Sequence, residues 1–342
     1  MKNVLLTTTA LVAFAGAAAA EMSFSGSADI GYNDVINGGL FADTAFEFGG
    51  SVDLGDGYTA SFDYGFDVDT SNGGSGLVWD LYPTVEVTSP FGSLKGGDLG
   101  DAGASEYFYA DRDGMALDVE NHDSSARFDI RALVEFGDFG LAVGGVDDGA
   151  GDLDGLSVGA GATFGNFTLG FGYDEADAAL IADGADTVNE TIGVSLDTTF
   201  SGASIGLSYI DNNVETSIGV AVGYDVSADL SVAAYYADNT VADDKYGVSV
   251  AYTMGALALD AYYDSGNGAT VDTMGLDVSY ELMAGLTGYA GVYDDSITSV
   301  FYIGGVYEIN DSLSATVSYA DANEISGPEF KDGTTVMLSA SF

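Results

Sequence analysis

The chain has 342 residues, 47% of them hydrophobic, and a formal net charge of −47 from 54 acidic against 7 basic residues. That much apolar content argues against an acidic disordered chain, and so little positive charge argues against a phosphate backbone as partner, so no nucleic acid is expected. Cysteine is absent, which removes disulfides, thiolate metal sites and cysteine nucleophiles.

The chain opens with Lys2, an apolar stretch from Val4 to Phe14, and Ala18-Ala19-Ala20 before Glu21. This is the charge, core and small-residue order of a secretory signal, and its core is too short to span a bilayer. Residues 1–20 are therefore expected to be a signal peptide, and 21–342 a single domain. Beyond the leader no apolar run reaches the roughly 18 residues of a membrane-crossing helix. Any crossing of a membrane falls to strands.

From Glu21 onward apolar residues alternate with polar or tiny ones, broken at short intervals by Gly, Asp or Asn, which predicts hairpins rather than helices. The 49 Gly, 21 Tyr and 19 Phe against only 3 Pro fit strands joined by tight turns. In 58–69, Tyr58, Ala60, Phe62, Tyr64, Phe66 and Val68 fall on one face and Thr59, Ser61, Asp63, Gly65, Asp67 and Asp69 on the other. One face suits hydrocarbon and the other water. Counting such segments gives roughly twenty strands.

A recurring unit then appears, with apolar residues at positions one, three and five and tyrosine at seven. It starts at Phe167, Ala203, Leu230, Leu257 and Leu313 and ends at Tyr173, Tyr209, Tyr236, Tyr263 and Tyr319, each closely followed by acid. At the opposite strand ends, short turns carry phenylalanine: Phe91-Gly92, Phe136-Gly137-Asp138-Phe139, Phe164-Gly165-Asn166-Phe167 and Phe200-Ser201-Gly202. Aromatic rings sorted to both strand ends are what a membrane barrel needs at its two headgroup levels. Longer acidic connections, 147–154, 174–186, 238–244 and 320–332, alternate with the short turns. Phe342 ends an apolar last strand, Val336, Leu338, Ala340 and Phe342.

The leader, the strand Ser23-Phe24-Ser25-Gly26, the stretch Gly92-Ser93-Leu94-Lys95-Gly96-Gly97-Asp98 leading into Gly103-Ala104-Ser105-Glu106, and the terminal Phe342 together resemble the alphaproteobacterial general porins of the Gram-negative outer membrane. The resemblance covers the mature chain in pattern and these short stretches in motif. It implies an all-β, antiparallel up-and-down transmembrane barrel, a homotrimer, and a third external loop folded into each pore as a constriction. It also implies about sixteen strands, fewer than the count of alternating segments.

Between Asp98 and Asp123 the alternation lapses, and long irregular segments in compact folds are usually functional or disordered. By position this is the constriction loop, with Asp98, Asp101, Glu106, Asp111, Arg112, Asp113, Asp118 and Glu120 as its charged members. An acidic loop exposed to the outside is the plainer alternative. The next strand sends Phe128, Ile130, Ala132, Val134 and Phe136 to lipid, and so Arg127, Asp129, Arg131 and Glu135 to the pore wall, which Lys95 joins from the strand before the loop. Parity adds Glu47, Asp53, Asp63, Asp67 and Glu86 to the wall. Loop acids facing Lys95, Arg127 and Arg131 would set a transverse field across the pore. The competing reading pairs each arginine with a neighbouring carboxylate.

The expected function is a water-filled, cation-preferring channel for passive diffusion of ions and small hydrophilic solutes, not an enzyme. Its expected surroundings are outer-membrane lipid and lipopolysaccharide. His122 is the single histidine, which disfavours histidine catalysis or a multi-histidine metal site. Carboxylates are too abundant here for a pair to signal a glycosidase. No cofactor is expected; Ca²⁺ at the acidic loops is an option, although no EF-hand loop is present. Tyr107-Phe108-Tyr109 reads as an anchor for the loop or a sugar track. Two alternatives stand beside this reading, a substrate-selective porin and a secreted acidic β-sandwich or Ca²⁺-dependent adhesin.

Overall fold

The computed structural model describes residues 21–36, 38–69, 78–97, 99, 113–117, 129–147, 153–175, 189–266, 272–322 and 330–342. The strands are β1 (Glu21–Asn33), β2 (Leu40–Gly55), β3 (Tyr58–Asp69), β4 (Val78–Ser89), β5 (Gly92–Gly97), β6 (Asp129–Phe136) and β7 (Phe139–Asp147). They continue with β8 (Leu153–Phe164), β9 (Phe167–Asp174), β10 (Thr191–Phe200), β11 (Ala203–Asp211), β12 (Thr216–Ser227), β13 (Leu230–Asn239) and β14 (Lys245–Met254). The set ends with β15 (Leu257–Asp264), β16 (Thr273–Met283), β17 (Leu286–Asp294), β18 (Ser299–Asn310), β19 (Leu313–Ala320) and β20 (Gly333–Ser341). No helix occurs among the described residues.

Each strand pairs antiparallel with the next, and β1 also pairs with β20, so the single 20-stranded sheet closes on itself. This is an up-and-down barrel. Closure removes every sheet edge, the condition for strands to stand in hydrocarbon. A β-sandwich is excluded, because one continuous ring leaves no second layer to cover an inner face. The barrel also has more strands than the roughly sixteen implied by the family resemblance; the count of alternating segments is the one realised. At strand spacings near 4.8 Å and tilts of about 40°, such a ring is roughly 40 Å across its backbone.

Side-chain parity follows the sequence. In β10, Thr191, Gly193 and Ser195 are buried inside, whereas Ile192 and Val194 are 42% and 47% exposed outside. Exposed leucine, valine, isoleucine and aromatic side chains cover the outer surface all the way round. In water a continuous apolar face of this extent would drive association; in a bilayer it is the solvated face. The tight turns need backbone that other residues avoid: Gly137 and Gly165 have φ of 61° and 63°, and a Cβ there would meet nothing. The demand is conformational rather than steric.

Inside, several rings lie on the glycines of neighbouring strands. A Cβ at Gly247 or Gly275 would stand 2.2 Å from the ring of Tyr235 or Tyr262, and one at Gly291 2.3 Å from Tyr302. Glycine at these positions lets a large ring lie flat against the wall instead of filling the centre. The seam closes on the last residue. Phe342 N–H donates to the Gly26 carbonyl at 3.0 Å and Gly26 N–H donates back at 2.9 Å, while the Phe342 ring lies 5.7 Å from Phe24 and 6.0 Å from Phe46.

Candidate pore and its lining

The polar parity of the strands builds the inner wall. Ser25 pairs with Glu47 across β1 and β2, its hydroxyl donating to the Glu47 carboxylate at 3.0 Å. Asp63 lies opposite Gly49 on one side and Thr84 on the other. Glu86, Lys95 and Arg131 are successive register partners across β4, β5 and β6, so they form one lateral row of acid, base and base. Glu135 sits four residues further along β6, opposite Gly140. The structure thus brings together Glu86, Lys95 and Arg131, as parity predicts, and puts Glu47 and Asp63 on the same face of nearby strands. Asp129 is placed in β6 by its backbone register with Gly97, and Arg127 lies outside the described residues.

Of the predicted loop residues, Asp98, Asp101, Glu106, Asp111, Arg112, Asp118 and Glu120 lie outside the described residues; Asp113 is described and exposed. The short segment 113–117 is found on the inner wall of β13 and β14. Asn239 donates its side-chain amide to the Gly114 carbonyl at 3.0 Å and accepts from Ala116 N–H at 3.0 Å. Gly114 is in the left-handed region at φ 84°, and a Cβ there would fall 2.6 Å from Tyr235 and 2.9 Å from Lys245. This landing place is on strands far around the ring from Lys95 and Arg131. The anchor Asn239 and the near-contact with Lys245 were not foreseen; an asparagine at a strand end carries no sequence signal for a partner more than a hundred residues away.

Burial marks where chain covers the wall. Ser157, Ser195, Ser208, Ser217, Ile210 and Ala237 all face inward near the external ends of β8–β13, and all are at most 5% exposed. An open lumen would leave them wet. Elsewhere Glu47, Asp63, Asp67, Asp225, Asp260 and Glu281 on the inner face are exposed. A cavity of about 690 Å³ opens between Asp113–Gly114 and the wall of β10–β16, with Asp197, Asp264, Tyr235, Tyr262 and Lys245 in its lining. Tyr235 donates its hydroxyl to Asp264 at 2.8 Å. Among the described residues no group of three or more acids converges as a metal site.

The outer rims are as sorted as the repeats suggest. At the external strand ends Tyr209, Tyr236, Tyr263 and Tyr319 donate their hydroxyls to Asp211, Asp244, Asp272 and Asp321 at 3.3, 3.1, 2.7 and 2.8 Å. Tyr173 occupies the equivalent outward place on β9, opposite Ile192. Each ring lies along the apolar band and its hydroxyl points to the acidic end. At the other rim Phe91, Phe136, Phe164 and Phe200 are 63–71% exposed. Tyr224, Tyr252, Tyr280 and Tyr307 complete that lower belt, opposite Ala203, Leu230, Leu257 and Leu286. They went unread in the sequence, although they recur at near-constant spacing beside the turns.

A closed antiparallel ring with an apolar outside, aromatic rims and carboxylate side chains inside is the architecture of a transmembrane β-barrel. The model of the Gram-negative porin family matches residues 7–118. Three mutant forms of the Rhodopseudomonas blastica porin are similar in structure at 12%, 12% and 16% identity. Each comparison covers 94% of this chain and 100% of the other, with TM-scores of 0.48, 0.49 and 0.44. No curated protein matches the sequence.

Proposed function

We propose that the chain, exported by way of residues 1–20, acts in the outer membrane as a water-filled channel for passive diffusion of ions and small hydrophilic solutes, with a preference for cations. The observation that carries this reading is the coexistence, on one closed sheet, of an apolar exterior and exposed inward carboxylates such as Glu47, Asp63, Asp67 and Asp260. Fixed charge of one sign on low-dielectric walls enriches the opposite ion in the lumen.

The narrow zone is proposed to lie between segment 98–123 and the row Glu86, Lys95 and Arg131, with Asp129 at the start of β6 and Arg127, two residues before it in sequence, contributing. Support comes from the seat of 113–117 on β13 and β14, which brings this loop inside the ring, and from the buried inner faces of β8–β13. Without chain folded inside, a ring this wide would be an unselective hole. The homotrimer rests on the family resemblance, and lipid with lipopolysaccharide is the proposed environment of the tyrosine rims.

Swelling of proteoliposomes in a size series of uncharged sugars tests the channel. Swelling rates should fall smoothly with solute size and rise linearly with concentration. Rates equal to those of protein-free vesicles would refute it, and saturation by one sugar would point to a substrate-selective porin instead.

A further inference from the structure

Phe41 and Asp43 stand two residues apart on the inner face of β2. The Phe41 ring is 3% exposed and rests on Gly31, where a Cβ would come within 2.6 Å of it. Asp43 is the register partner of Asp29 on β1 and of Asp69 on β3, so three acidic positions share one lateral row. Like charges directly opposite on a sheet repel. A cation beside Asp43 relieves that repulsion.

That cation is Lys331, which arrives from the connection between β19 and β20 and not from the wall. Its ammonium is 3.1 Å from the Asp43 carboxylate and 4.7 Å from the centre of the Phe41 ring. The backbone around it is tied down on both sides. Phe330 is buried against Tyr302 and Tyr289, with ring centres 5.6 and 6.2 Å apart. Asn33 donates to the Asp332 carbonyl at 2.7 Å, and Asp34 accepts from Thr334 N–H at 2.7 Å.

A carboxylate beside an aromatic ring is the chemistry that recognises an ammonium group. Neither partner is sealed off: the side chains of Lys331 and Asp43 are 33% and 25% exposed. We propose that Phe41 and Asp43 form a binding station for primary-ammonium solutes on the inner wall, and that Lys331 is its tethered occupant. Solutes bearing an ammonium group compete with Lys331 for the station, so its affinity for them in the native chain is held low. This rests on the inner face being reached by water, as the proposed channel requires.

The test uses the full-length protein in planar bilayers with n-butylammonium chloride as probe. In Lys331→Met the potassium current should fall saturably with the probe, at a concentration at least tenfold lower than in the native protein. Lys331→Gln should behave alike, and adding Asp43→Asn to either should abolish the block. Equal sensitivity of native and Lys331 variants, or block that survives Asp43→Asn, would overturn the station. Calorimetric titration of the detergent-solubilised proteins reads the same binding without conduction. Binding in Lys331→Met with no conductance in any form would count against the channel alone; normal conductance with no added binding would count against the station alone.

Discussion

Lys95 and Arg131 are direct register partners across β5 and β6, so two of the seven basic residues stand side by side on the inner wall, with Glu86 opposite Lys95 on its other flank. Adjacent like charges weaken a sheet. In a chain this poor in positive charge, the pair supplies the positive side of the field proposed for the narrow zone.

Replacing Arg127 and Arg131 together by alanine should raise the potassium-to-chloride permeability ratio about twofold, because the local positive pole opposing cations is lost. Reversal potentials under a salt gradient measure this. An unchanged ratio would put these arginines outside the narrow zone.

Asn239 holds the loop segment through Gly114 and Ala116 and is itself buried. Asn239→Ala leaves those backbone groups unpartnered by it, a loss of about 1–3 kcal/mol at the anchor. Single-channel records should become noisier, with more frequent sub-levels, while the barrel stays folded. Records as quiet as those of the native channel would argue that the anchor does not hold the constriction.

Tyr262 lies flat because residue 275 is glycine. Gly275→Val should drive that ring toward the lumen and cost about 1–3 kcal/mol in overpacking. Both a lower urea midpoint in detergent and a smaller unitary conductance are expected. A lower midpoint with unchanged conductance would mean that the ring finds another place.

The external tyrosine rim makes a graded prediction. Tyr263→Phe keeps the ring in the interface and removes the hydroxyl with its bonds to Asp272 and Tyr246, whereas Tyr263→Ala removes the ring as well. The urea midpoint in lipid should fall clearly further for alanine than for phenylalanine. Equal effects would mean that the hydroxyl, not the ring, does the anchoring.

Much of the barrel was legible because its period is local. The repeats beginning at Phe167, Ala203, Leu230, Leu257 and Leu313 are the first residues of β9, β11, β13, β15 and β19. Alternation tells inside from outside one residue at a time, and so Glu86, Lys95 and Arg131 could be assigned to one face without a structure. What alternation does not encode is which residues meet across the ring. Lys331 and Asp43 are 288 positions apart, and they meet only because β20 closes on β1. The seating of Tyr235 on Gly247 likewise depends on the register of β13 and β14, with neither residue unusual in its own strand.

Ion selectivity bears most directly on the central claim, that inward carboxylates of a closed ring face a water-filled lumen. With the protein in a planar bilayer between concentrated and dilute potassium chloride, the reversal potential should have the cation-selective sign. It should shrink toward zero as both solutions are raised toward 1 M, where the Debye length falls to about 3 Å. A potential of the anion-selective sign, or a bilayer that stays silent after insertion of folded protein, would contradict the account.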